Sequence, residues 1–241
     1  MSTRSHERQS FREHLLELRT RLLFTLVFLA LTTIIGYFIH DHILNVLIHP
    51  LDQPIYYSSP AGGFDFVLKL SFLFGFLASI PVATFQALRF VEPVLPHFSP
   101  RYLALMFLSS CLLLVAGMAF AYLVSLPAAL YFLGSFTSEG VQALISAGEY
   151  FSFVTRYLLG FGLLFQLPLV MLILNSVQPI PTRKLMSYQR WVILVSFVIA
   201  AFLTPTPDLF NQLLMAVPLM LLYQVTVGLL WIVNRKASST A

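Results

Sequence analysis

The stretch 22-LLFTLVFLALTTIIGYFI-39 decides the fold: eighteen consecutive residues without Asp, Glu, Lys or Arg. A helix of about 20 apolar residues crosses the ~30 Å hydrocarbon core of a bilayer. Five further charge-free runs follow: Leu70–Leu88, Tyr102–Thr137, Tyr157–Thr182, Trp191–Pro207 and Leu209–Val233. Of 241 residues, 58% are hydrophobic and only 10% charged, far from the composition of a soluble domain. The expectation is an all-α polytopic membrane protein with six transmembrane helices.

Charge sorting sets the orientation. Numbering the connections from the N-terminus, alternate segments hold twelve of the fourteen basic residues. They are Arg4, Arg8, Arg12, Arg19 and Arg21, then Arg89 and Arg101, then Arg183, Lys184 and Arg190, then Arg235 and Lys236. The intervening connections hold only Lys69 and Arg156, with six of the ten acids. The positive-inside rule then predicts cytoplasmic N- and C-termini in a multi-pass cytoplasmic (inner) membrane protein. A basic inner face suits an anionic lipid surface and calls for no nucleic-acid partner. The expected parts are a cytoplasmic amphipathic segment (1–21), a six-span membrane domain (22–233) and a short basic tail (234–241).

Within QSFREHLLELRTR (residues 9–21), Phe11, Leu15, Leu18 and Leu22 recur at helical spacing, with Glu13, Glu17 and Arg21 as an i, i+4 ladder. This reads as a helix lying on the inner leaflet before the chain turns into the membrane. No cleaved signal peptide is expected, because some twenty polar residues precede the first run. Tyr102–Thr137 would be ~54 Å long as one helix at 1.5 Å per residue, so its spanning part is expected to end near Pro127. The fifth run is short and is cut by Thr204-Pro-Thr-Pro-Asp208, a turn no helix continues through. Pro81, Pro127, Pro168 and Pro218 fall in or at the ends of other runs and predict a kinked, concave bundle.

Signatures of catalysis are missing from this pattern. There is no GxSxG, HExxH, P-loop or Gly-rich dinucleotide turn, and no run contains a histidine or an acid to activate its serines. No catalytic residue, cofactor or metal site is predicted; His40, His42 and His49 read as interfacial polar residues. Cys111, the only cysteine, has no disulfide partner. The amides Gln86, Gln166, Asn175, Gln212 and Gln224 read chiefly as links between helices, and Gln166 is placed to cover a carbonyl freed by Pro168. A small secondary transporter or channel remains the alternative.

Four segments carry a resemblance. HLLELRTRL (residues 14–22), FVEPVL (90–95), GMAFAYLVSLPAALYFL (117–133) and FLTPTPDLFNQ (202–212), together with Pro50-Leu51, are similar to the Tat translocase C subunit family (TatC). They occur in the family's order from about Arg12 to Val233. The resemblance implies a receptor for folded cargo whose signal peptides carry two consecutive arginines, with Glu17, Arg19, Phe90, Glu92 and Pro93 at the binding surface. It also implies functional membrane positions at Pro50, Gln166, Asp208 and Gln224. Small single-span partner subunits, self-association and the bilayer itself complete the implied partners. Two readings stand for Glu17: acceptor for a signal arginine, or partner of Arg21 on its own helix. Phe90 reads equally as a packing floor for the signal or as an interfacial anchor. The chain departs from the family at Phe98-Ser99, where relatives carry a glutamate, and at Gln166 and Gln224, where relatives often do. It then either binds signals through a rearranged site or is a scaffold that no longer binds them.

Overall fold

The computed structural model describes residues 11–51, 53–91, 100–136, 144–204 and 208–239. The first run belongs to one uninterrupted helix, α1 (Phe11–Phe38). Nothing between Glu17 and Leu22 breaks it, and the Thr20 and Thr25 hydroxyls bond back to carbonyls four residues earlier. The amphipathic segment is thus the start of the first spanning helix, with no break before the membrane run. α2 (His40–Ile48) follows, then β1 (Ile55–Tyr56) and α3 (Gly62–Val91). The 58-SSPAGG-63 turn caps the start of α3, where Gly62 N–H donates to Ser59 O at 3.0 Å.

The third run stays helical beyond its proline. α4 (Pro100–Phe120) passes through a π-helical turn (Ala121–Ser125) into α5 (Leu126–Gly134). Pro127 has no N–H for the carbonyl of Leu123, and its ring crowds that oxygen; one wide turn absorbs both problems without ending the helix. The helix therefore runs on past Pro127 to Gly134. β2 (Ile145–Ser146) pairs in parallel with β1, Ile55 opposite Ile145, joining two connections at one end of the bundle. This small strand pair had no sequence signal. The fourth run divides into α6 (Ala147–Leu164) and α7 (Leu167–Val177), broken at Phe165-Gln166 just before Pro168. α8 (Thr182–Ser187), α9 (Gln189–Leu203) and α10 (Leu209–Ser239) complete the chain.

By length and composition, five helical segments can cross a membrane: Leu15–Phe38, Gly62–Phe90, Arg101–Gly134, Ala147–Val177 and Leu209–Arg235. Gln189–Leu203 is the shorter sixth, about 22 Å long at 1.5 Å per residue. The main core lies where α3, α4, α5, α6 and the start of α10 meet, around Leu70, Leu126, Tyr157, Phe161 and Met215. Smaller clusters seat Leu88 against Leu103 and Leu169, and Leu185 against Val227 and Leu230.

α1 packs chiefly on α3, along a seam of small residues. Ser71, Gly75 and Ser79 recur every fourth residue and so share one face of α3. Against them lie Thr32, Thr33 and Gly36 of α1; the Thr32 hydroxyl lies 3.2 Å from Gly75 O as well as bonding Phe28 O at 2.8 Å. A Cβ on Gly75 would sit 2.8 Å from Thr33 N, and one on Gly36 would sit 2.9 Å from Ser71 O. Only glycine lets the backbones come this close, which is how helices gain contact where lipid gives no hydrophobic drive. The seam also fixes the register of the two antiparallel helices down to their charged ends.

Candidate functional site

The basic end of the bundle carries Arg21, Arg89, Arg101, Arg183, Arg190 and Arg235. There the α1–α3 register sets Arg21 opposite Gln86. Arg21 Nε donates to Glu17 Oε1 at 3.0 Å, Arg21 Nη2 also pairs with Glu17 Oε1, and Nη1 lies 3.4 Å from Gln86 Oε1. The side chains of Arg21 and Glu17 keep 20% and 26% of their surface exposed, so both are sheltered yet reachable. One helical turn further out on each helix, 5.4 Å along the axis, brings Glu17 level with half-buried Phe90. Two residues from separate motifs thus stand at one level of the α1–α3 pair. Beside them, the Arg89 guanidinium sits 5.5 Å from the Phe85 ring centroid. Arg19 is exposed. Glu92, Pro93, Phe98 and Ser99 lie outside the described residues, and so does the side chain of Glu13. The Glu17–Arg21 pair is present, but both Arg21 donors use a single carboxylate oxygen.

The remaining predicted positions take structural places. Pro50 stands where a fifth donor would have served the last turn of α2. It has no N–H to offer Val46 O, which accepts from His49 N–H at 3.3 Å and from the Tyr122 hydroxyl at 2.6 Å. Leu51 N–H turns to Ile48 O, and the Tyr150 hydroxyl takes the neighbouring carbonyl of Leu47 at 2.7 Å. Asp208 is the N-cap of α10. Its Oδ1 accepts from Asn211 N–H at 2.7 Å and its Oδ2 from Asn211 Nδ2 at 2.8 Å. Asn211 Oδ1 in turn accepts from the buried Tyr157 hydroxyl at 3.3 Å, tying α10 to α6. Pro205, Thr206 and Pro207 of the turn lie outside the described residues.

Gln166 is buried and serves another helix. Its Nε2 donates to Ser110 O at 3.0 Å, and its Oε1 accepts from Ser110 Oγ at 2.9 Å. The amide therefore links α7 to α4 and does not cover the carbonyl that Pro168 frees on its own helix. Gln224 lies on the exposed face of α10. Sequence reasoning did not single out Asn211, Tyr122 or Tyr150, because each gains its role from a contact with a distant segment. Asn175, read from sequence as a link between helices, is one: it exchanges amide hydrogen bonds with Asn234 of α10 at 2.8 and 3.3 Å, and the pair holds both N–H and C=O of Ile180.

These features define a class, the polytopic all-α membrane protein with amide and hydroxyl links between its helices and, among the described residues, a sheltered carboxylate, Glu17, at its basic end. The family model for the Sec-independent protein translocase protein (TatC) matches residues 13–218. The chain is 33% identical over 218 residues to the Sec-independent protein translocase protein TatC of Carboxydothermus hydrogenoformans, covering 89% of this chain and 90% of that one. It is 32% identical to the TatC of Aquifex aeolicus, covering 93% of this chain and 95% of that one. A crystal structure of the twin-arginine translocase receptor TatC superposes with a TM-score of 0.82 at 32% identity, covering 92% of this chain and all of that one. The chain belongs to the TatC family.

Proposed function

We propose that this chain is the receptor core of a twin-arginine translocase. It sits in the cytoplasmic membrane with both termini on the cytoplasmic side, so that the basic end faces the precursor proteins. The observation that carries this reading is the Glu17 carboxylate, held level with Phe90 at the basic end and half-engaged by Arg21. A guanidinium pairs with a carboxylate in a planar fork that an ammonium cannot reproduce. Phe90 supplies an apolar and aromatic surface beside that carboxylate. Arg19, and Glu92 and Pro93 in the following loop, complete the binding surface in this proposal.

The chain acts by binding and assembly, with no bond chemistry of its own. Residues 1–21 and the loop after α3 receive the signal peptide, the six spans (22–233) form the membrane scaffold, and the basic tail (234–241) stays at the inner surface. Small single-span partner subunits pack against α9 and α10, where Gln224 offers an amide on an exposed apolar face. Copies of the chain associate within the assembled complex. Nothing in the comparisons favours a solute transporter or channel.

Site-specific photo-crosslinking in native membranes tests the reading. Probes at Glu17, Phe90 and Glu92 face a precursor with Arg-Arg or Lys-Lys in its signal. Crosslinks at Glu17 and Phe90 that vanish with Lys-Lys are the expected result. Arg-independent crosslinks, or none, remove the site assignment.

A further inference from the structure

The Glu17–Arg21–Gln86 arrangement contains more than an ion pair. An exposed i, i+4 pair on a helix is a weak interaction, because holding two long side chains in one geometry offsets much of the attraction. Here Arg21 is held from two helices: by Glu17 on its own helix and by Gln86, sixty-five residues away on α3. Gln86 accepts through a neutral oxygen, so it anchors the guanidinium without discharging it. The glycine seam above keeps α1 and α3 at fixed register, and with it the spacing of Arg21 from Gln86. Both Arg21 donors converge on Oε1 of Glu17. Oε2 has no partner among the described residues, and a quarter of the side chain is exposed.

We propose that Arg21 and Gln86 are positioning residues for signal recognition. Gln86 tethers the Arg21 guanidinium, Arg21 fixes the Glu17 carboxylate by one oxygen, and the other oxygen is presented, already oriented, to an incoming guanidinium. This deepens the receptor reading and rests on it. Pre-orientation favours arginine over lysine for a physical reason. A planar fork gains from a carboxylate held in one plane, whereas an ammonium is a point charge that accepts many approach directions. Arg21 itself disfavours a second cation. A delocalised, weakly hydrated guanidinium tolerates that proximity better than a compact ammonium. The triad thus acts on discrimination more than on raw attraction.

The test uses the full-length chain in lipid nanodiscs and fluorescent synthetic signal peptides carrying Arg-Arg or Lys-Lys. Gln86→Leu removes the tether; Arg21→Lys keeps the charge and loses the fork, and serves as the second variant should Gln86→Leu fold poorly. Both are expected to weaken Arg-Arg binding about five- to tenfold and to leave Lys-Lys binding within about twofold, collapsing the preference between them. Unchanged preference, or an equal loss for both peptides, overturns the proposal, since a merely structural contact would not act selectively. Glu17→Gln is measured alongside. If it abolishes Arg-Arg binding while the two positioning variants do nothing, the receptor site stands and this inference falls. If Glu17→Gln binds like the parent, the site assignment falls first and the inference with it.

Discussion

The two ends of the bundle use polar side chains in opposite ways. At the end with β1 and β2, Asp208 and Asn211 are saturated by internal partners and Asn211 is fully buried, while the Tyr122 and Tyr150 hydroxyls are spent on the final turn of α2. At the basic end, Glu17 and Arg21 are engaged but reachable, and one carboxylate oxygen has no partner among the described residues. The first pattern is that of groups the fold consumes. The second is that of groups the fold holds ready. If that division is real, substitutions at the far end should move stability and leave recognition alone, and substitutions at Glu17 should do the reverse.

The largest expected effect is at Asn211. Asn211→Leu removes the side-chain bonds to Tyr157 and Asp208 and leaves the buried Tyr157 hydroxyl without this acceptor, at about 2–4 kcal/mol. Equilibrium unfolding in mixed detergent micelles should show this loss, followed by Trp191 and Trp231 on the adjoining α9 and α10. A shift below ~1 kcal/mol would mean the far end is not the lock described here. Next comes Glu17→Gln, which sharpens the contrast from the other side. Loss of a charge-assisted contact predicts about 1.5–3 kcal/mol, or roughly ten- to a hundredfold, in affinity for an Arg-Arg signal peptide. Stability should change by under ~1 kcal/mol, as expected for a partly exposed pair. A large fall in stability with unchanged affinity would reverse the two roles.

Why one end is easier to read from sequence than the other follows from the same chemistry. The six charge-free runs, the basic bias of alternate connections and the α1 ladder at Glu17 and Arg21 are local patterns, and each survives in the structure. The turn ending at Asp208 was legible too, but its part as the N-cap of α10 came from the structure. Pro50 marked a helix end. The hydroxyls that repair it come from Tyr122 and Tyr150, seventy-six and one hundred and three residues from their acceptors, and no spacing rule reaches that far. Gln166 misled for a related reason: its closeness to Pro168 suggested a local repair, whereas packing offered Ser110 on α4. The π turn before Pro127, which lets the helix pass a proline that would otherwise end it, has no local signature either. Gln86 became legible as part of a site only once the glycine seam fixed the α1–α3 register.

A smaller effect is expected at Tyr150. Tyr150→Phe leaves Leu47 O without its hydroxyl in a buried setting, for about 1–2 kcal/mol in the same unfolding assay. It should leave the affinity for Arg-Arg peptides unchanged, because Tyr150 lies at the opposite end of the bundle from Glu17.

The smallest effect is also the most specific, and it lies in a coupling rather than a single change. Tyr122→Phe removes the shorter of two bonds to Val46 O; His49 N–H stays at 3.3 Å and water can reach this half-buried position, so about 0.5 kcal/mol is expected. The hydroxyl takes the place of the helical donor that Pro50 cannot supply four residues along. Pro50→Ala restores that N–H, and α2 can then close its own last turn onto Val46 O. In the Pro50→Ala background, Tyr122→Phe should therefore cost close to nothing, giving a coupling of about 0.5 kcal/mol in a double-mutant cycle. Tyr150→Phe, whose acceptor is Leu47 O, should not couple to Pro50 in this way. Equal costs for Tyr122→Phe in both backgrounds would mean that Pro50 shapes this end through its fixed backbone angle, and that the missing hydrogen is incidental.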